Sequence, residues 1–203
     1  MPSASQQKPW PMKWVLLAII VVIVPYTYLT LHYRKPGPAF RPYEDTKNRA
    51  ITIRLLSTGY QRIALDATRP ADPLHVAASA SSSAVAGGLP SALTGALIDQ
   101  PLLPISIDSV TAPGSAAAAQ PYFIQFTCSL ADNKAQLAGG HLYRRDGEIV
   151  VVPSFETLAG GLLARTRDSM VLLTVPAGAL KPGQYLVTLA GSRASRQWTL
   201  QVH

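Results

Sequence analysis

The residues best suited to chemistry in this chain are its single cysteine, Cys128, and its four histidines, His32, His75, His141 and His203. Cys128 and His141 could in principle form a nucleophile and its base. A reactive thiolate needs positive charge nearby to lower its pKa, and the stretch Tyr122-Phe-Ile-Gln-Phe-Thr-Cys-Ser offers none. Cys128 lies on the apolar side of an alternating segment, so it is expected to act as a small buried hydrophobe. The histidines are far apart and form no H-x-H or H-x-x-x-H pair, so no metal-ligand set is expected. His141, after Gly139-Gly140, reads as the start of a strand. No serine sits in G-x-S-x-G, and those at 79–83 lie in low-complexity sequence with no adjacent base. Asp146 belongs to a turn, Asp132-Asn133 to a loop, and Glu148 and Glu156 to solvated faces. The glycine pairs fit neither phosphate-cradling pattern. These residues point to no catalysis, no metal and no cofactor.

The formal charge of +7 is concentrated at one end of the chain. Residues 1–69 hold ten Lys/Arg against Glu44, Asp45 and Asp66, while residues 70–203 hold eight of each sign. A nucleic-acid-binding domain would carry a basic stripe with aromatics to stack on; no such stripe is present, and no nucleic-acid partner is expected. The basic residues instead flank a hydrophobic run, Val15 to Val24. Extended from Trp14 to Tyr33, the run has about 20 residues, which at about 1.5 Å each cover a bilayer core of about 30 Å. Trp14 and Tyr33 are placed as interfacial anchors and Pro25 as a bend. A cleaved signal peptide would need small residues at a cleavage site. The downstream Tyr26-Thr-Tyr-Leu-Thr-Leu-His lacks them, so a retained single-pass anchor is expected. Arg34, Lys35 and Arg41 form a juxtamembrane basic cluster suited to anionic headgroups. By the positive-inside rule this cluster places the remainder in the cytoplasm. The plan of a short anchor followed by a β-rich domain favours the extracytoplasmic side, which is the expectation adopted.

The elements that would position any site follow from periodicity. The expected divisions are a tail (1–13), a transmembrane helix (14–33), a Pro-rich spacer (34–42) and a helix (43–58). Next come a strand with an Ala/Ser/Pro-rich loop and short helix (59–120), and a β-core (121–203). In the helix, Ile51 and Leu55 are four apart and would dock together on the domain. Residues 71–88 read as a loop and Pro90 as the start of a short helix. Tyr122, Ile124, Phe126, Cys128 and Leu130 alternate with Phe123, Gln125, Thr127 and Ser129 at period two. Leu142 to Val152 reads as a hairpin about Asp146-Gly147. Three further alternating stretches, 171–175, 184–189 and 197–202, complete an antiparallel β-protein.

Leu180-Lys-Pro182-Gly183-Gln-Tyr185 resembles the corner before the penultimate strand of immunoglobulin-like and fibronectin-like sandwiches. The resemblance implies that Leu180 packs under the turn, that Pro182-Gly183 makes the bend, and that the Tyr185 hydroxyl bonds back to the turn's backbone. Trp198 on the last strand would close the core. The paired cysteines of antibody domains are missing. The implied fold is mainly β: an N-terminal transmembrane helix, a juxtamembrane helix and an antiparallel Ig-like β-sandwich. Fold does not give function. The expected role is a membrane-anchored, non-enzymatic accessory or protein-binding subunit, with the membrane and another membrane or envelope protein as partners. A binding or chaperone-like module for a small ligand or metal is the alternative. A concave pocket lined by residues 71–104, with His75 or His141 pointing in, would favour it. An enzyme of unfamiliar type is the third reading.

Overall fold

A computed structural model describes residues 11–32, 42–73, 80–158, 160 and 162–203. The chain divides into two compact units, Met1–Tyr43 and Glu44–His203.

The first unit contains helix α1, Met12–His32. Its 21 residues give a rod of about 31 Å. Trp14 lies in its first turn and Pro25 inside it. Its large apolar side chains are exposed, and none of the spanning-length stretch Met12–Thr30 is buried. An all-round apolar helix with its side chains exposed among the described residues is suited to lipid. Near its end the Thr30 hydroxyl donates to the Tyr26 carbonyl at 2.7 Å, which satisfies a polar side chain within the helix itself. The expected anchor Tyr33 and the basic cluster Arg34, Lys35 and Arg41 lie outside the described residues.

The second unit is a β-body. Helix α2, Pro42–Ser57, leads into it, and a short helix α3, Ser91–Ala96, interrupts the strands. The strands are β1 (Gln61–Thr68), β2 (Ser83–Ala86), β3 (Ser106–Thr111), β4 (Ser115–Ala116) and β5 (Tyr122–Ser129). They continue with β6 (Ala135–Arg145), β7 (Glu148–Thr157), β8 (Asp168–Val175), β9 (Gly183–Leu189) and β10 (Ala194–Val202). They form one curled sheet in the order β2-β10-β9-β7-β6-β1-β8-β5-β3, with β4 beside β10. The expectation of a mainly β protein behind an N-terminal apolar helix therefore holds. The sheet is a half-barrel rather than two separate layers, and β7 runs parallel to β9. Ser83–Ala86, expected to be loop, is an edge strand paired with β10, because pairing satisfies backbone groups that its small side chains leave uncovered.

The curl turns on β1. Its residues Gln61–Leu65 pair with β6 and Asp66–Thr68 with β8, so one strand serves both halves, as corner strands do. Gly140 of β6 stands opposite Leu65 at this corner. A Cβ there would come within 3.1 Å of the Leu173 side chain, so a glycine lets the halves approach. Inside the curl lie Ile124, Phe126, Cys128, Leu142, Val151, Leu173, Trp198 and Leu200, all buried. Trp198 Nε1 donates to the Tyr122 hydroxyl at 3.2 Å, and that hydroxyl donates to the Pro113 carbonyl at 2.9 Å. Trp198 thus has its one polar atom satisfied within the core.

A second apolar layer lies outside the sheet. Ile51 and Leu55 of α2 and Leu93 and Ala96 of α3 pack with Tyr143, Val150 and Val152. This explains the unbroken run Ile149-Val-Val-Val152. Ile149 and Val151 face the curl while Val150 and Val152 face the helices, so both sides of β7 are buried. Arg196 bridges the open seam of the half-barrel. It stands on the inward parity of β10, and its guanidinium donates to the Ile107 and Asp108 carbonyls of β3 at 3.0 and 2.7 Å. Carbonyls on an edge strand that would otherwise invite another strand are thereby occupied.

Candidate functional site

The corner motif sits at the start of β9. Leu180 is buried in the inner core, Pro182 is exposed, and Gly183 takes φ +151°. The Tyr185 hydroxyl donates to the Lys181 carbonyl at 2.9 Å. This bond ties the turn to the strand that follows it.

Cys128 is fully buried on β5, and its thiol donates to the Ser169 carbonyl at 3.6 Å. Burial, reinforced by the Asp108 carboxylate, pushes its pKa up to about 12. The thiolate is scarce at neutral pH, and the sulfur lies in the inner core while His141 lines a groove on the outside of the sheet. The sequence-level pair of nucleophile and base is not assembled.

That groove is a concavity on the helix-covered side of the β-body. It encloses about 400 Å³ between α2, the segment following α3, and the outer faces of β1, β6 and β7. Ile51, Leu97, Leu102 and Val152 make its floor and walls, and the Phe155 backbone closes one side while its side chain lies in the inner core. Each arrives by a readable route. Ile51 belongs to the docked stripe of α2. Leu97 is the C-cap of α3, its N–H donating to the Leu93 carbonyl. Val152 is on the outward parity of β7. Leu102 bridges to Phe155, which draws the Pro101-Leu-Leu-Pro104 segment against the sheet.

Polar groups gather at two places. On one rim Lys47 of α2 pairs with Asp99, joining the helix to the segment after α3. At the sheet, Arg62 of β1 donates from Nη2 to His141 Nε2 at 2.6 Å. A guanidinium only donates, so Nε2 must be the bare nitrogen and the proton resides on Nδ1. Arg62 faces Tyr143 in register and reaches diagonally to His141, the reach expected of a long side chain across a ladder. Burial, then the Arg62 charge, pushes the His141 pKa down to about 4. The imidazole is therefore neutral at physiological pH. The Tyr143 ring lies 6.2 Å from it, and burial raises the phenol's pKa.

This arrangement gives a neutral histidine whose acceptor nitrogen is already occupied, and among the described residues no carboxylate is bonded to it. It makes a poor general base and, with its low pKa, a poor acid. Among the described residues no three of His, Cys, Asp or Glu stand close enough to hold a metal. What the groove does present, among the described residues, is a guanidinium with one N–H engaged by His141, beside an apolar surface. Among the described residues no carboxylate pairs with Arg62. Sequence reading named His141 and the 71–104 segment as possible pocket lining, and the structure brings His141 to Asp99, Gln100 and Leu102; His75 lies outside the described residues. Arg62 and Lys47 were missed as site residues. The available signal was parity: Ile63, Leu65 and Ala67 face inward, which sets Arg62 outward on the helix-covered side of the sheet.

No family model, no curated protein and no solved structure matches this chain.

Proposed function

We propose that this chain is a single-pass membrane protein whose β-body serves as a non-catalytic binding module, an accessory or assembly subunit of a membrane complex. The observation that carries the reading is α1. It is long enough to cross a bilayer core, apolar all round, and, among the described residues, has none of its spanning stretch buried. Each large apolar side chain left in water forgoes about 1.5–3 kcal/mol that burial would supply. Over such a helix only lipid or another hydrophobic partner can recover it. The β-body supports the non-catalytic part of the reading by what its polar groups are already doing. Cys128 is sealed, His141 is held neutral, and the Tyr122, Tyr185 and Arg196 donors are committed to backbone or core partners. A surface for a protein partner is offered by α2, whose Ile53 and Leu56 are each 67% exposed on the side away from Ile51 and Leu55. The extracytoplasmic side is part of the proposal, on the plan of an anchor followed by a β-body. The immunoglobulin-like kinship of the last strands belongs here too; the Tyr185 corner favours it and the parallel β7–β9 pair does not.

A second reading, a binding module for a small ligand, is favoured by one specific observation, the groove with His141 and Arg62. Purification of the full chain from its native membrane in mild detergent separates the two. A stoichiometric protein partner is expected under the first reading. A monodisperse monomer at native expression overturns it and leaves the second. A compartment-sensitive reporter fused after His203 tests the side, with an extracytoplasmic signal expected.

A further inference from the structure

We propose that the groove beneath α2 is a binding site for a small amphipathic monocarboxylate, its carboxylate held by Arg62 and its apolar part laid on Ile51, Leu97, Leu102 and Val152. The inference deepens the small-ligand reading and is independent of the membrane anchor.

Four observations combine. The first is size: about 400 Å³ lies at the lower end of the roughly 300–1,000 Å³ typical of small-molecule sites and is too little for a folded partner. The second is charge. Among the described residues, the charged and titratable groups facing the groove are Lys47 from α2, Asp99 from the segment after α3, Arg62 from β1, and His141 and Tyr143 from β6. Lys47 and Asp99 neutralise each other at the rim. His141 is neutral, and the buried phenol of Tyr143 keeps its proton. Among the described residues the groove is therefore left with one net positive charge, on Arg62.

The third observation is orientation. Arg62 gives one N–H to His141 Nε2, which fixes the guanidinium over the sheet. A guanidinium has five N–H donors, and a carboxylate takes two of them in parallel. His141 is thus a positioning residue for Arg62, and it spends no charge in doing so. A carboxylate in its place would have neutralised the site. The fourth is the floor. Apolar side chains from α2, the post-α3 segment and β7 meet beside the guanidinium. That juxtaposition suits a ligand with a charged head and a short apolar body, and disfavours a bare inorganic anion or a cation.

The test uses the full chain in nanodiscs of zwitterionic lipid, with phenylbutyrate as probe and phenylbutylamine as its cationic counterpart. Binding is read by calorimetry and by the imidazole resonances of His141. Phenylbutyrate is expected to bind and phenylbutylamine not. Arg62→Gln should weaken phenylbutyrate by about tenfold or more, and Arg62→Lys, which keeps the charge and loses the fork, by less. Asp99→Asn frees Lys47 and should tighten binding about two- to threefold, as expected of a charge added at a solvent-exposed rim. The bound carboxylate also offsets the Arg62 charge at His141, so the imidazole titration should move upward with probe present. A group holding only a structural role would produce no such shift. Absence of phenylbutyrate binding at millimolar concentration, equal binding of the amine, or undiminished binding by the Arg62→Gln chain overturns the proposal. Each of those results leaves the membrane-tether reading intact.

Discussion

Acidifying the protein should destabilise it through His141, and replacing that residue with glutamine should remove the effect. The ordinary imidazole pKa of 6.5 falls to about 4 in the folded chain, first through burial and then through the Arg62 guanidinium. As pH drops, the unfolded chain takes up the proton before the folded one does. Stability is then lost between about pH 6.5 and pH 4, and His141 contributes no pH dependence above that window. At 1.36 kcal/mol per pH unit the full gap is worth at most about 3.4 kcal/mol. The groove is open to solvent, which screens Arg62, so a fall of about 1–2 kcal/mol is expected. The assay is urea denaturation of the full chain in micelles, at about pH 7.5 and about pH 4.5, for the wild type and for His141→Gln. Glutamine can still accept from Arg62 and does not titrate. The stability difference between the two proteins should shift by about 1–2 kcal/mol in favour of the variant at the lower pH. Arg62→Gln, which removes the smaller cause and leaves burial in place, should reduce the acid loss without abolishing it. Parallel pH dependence of the wild type and His141→Gln would refute the account of the groove's electrostatics.

Three further outcomes follow from bonds described above. Tyr185→Phe deletes the hydroxyl that donates to the Lys181 carbonyl and should lower stability by about 1 kcal/mol, read as a shift in the denaturation midpoint with unchanged slope. Arg196→Met keeps the side chain's length but exposes the Ile107 and Asp108 carbonyls at the seam; a loss of about 1–3 kcal/mol is expected, with increased self-association on sizing columns. Cys128 should resist alkylation in the native protein at mildly alkaline pH and react fully once urea unfolds the chain, because burial holds its pKa near 12.

Much of the fold is legible because its signals are local. Period-two alternation from Tyr122 to Leu130 reads as a strand, and the structure makes Tyr122–Ser129 β5 with Tyr122, Ile124, Phe126 and Cys128 all buried. Asp146-Gly147 joins β6 to β7 with Asp146 at φ +52°, a conformation that aspartate tolerates. Ile51 and Leu55, four apart, are both buried under α2. What could not be read depends on partners distant in sequence. Nothing local says that β7 lies parallel to β9, or that β1 is shared between two halves. Ser83–Ala86 looks like linker because small residues give no hydrophobic pattern, yet β10 supplies its hydrogen bonds. The groove was hidden for the same reason. Lys47, Arg62, Asp99 and His141 are separated by long stretches of chain and meet only because α2 and the post-α3 segment cover one face of the sheet. Arg196 carried a visible mark, a charge on the inward parity of the last strand, and its meaning emerged only when β3 proved to be across the seam.

The tether is tested most directly by where the intact polypeptide goes when membranes are stripped with alkaline carbonate. An integral α1 predicts that the full chain stays with the lipid pellet and leaves only with detergent. Recovery of the full chain in the carbonate supernatant would contradict it.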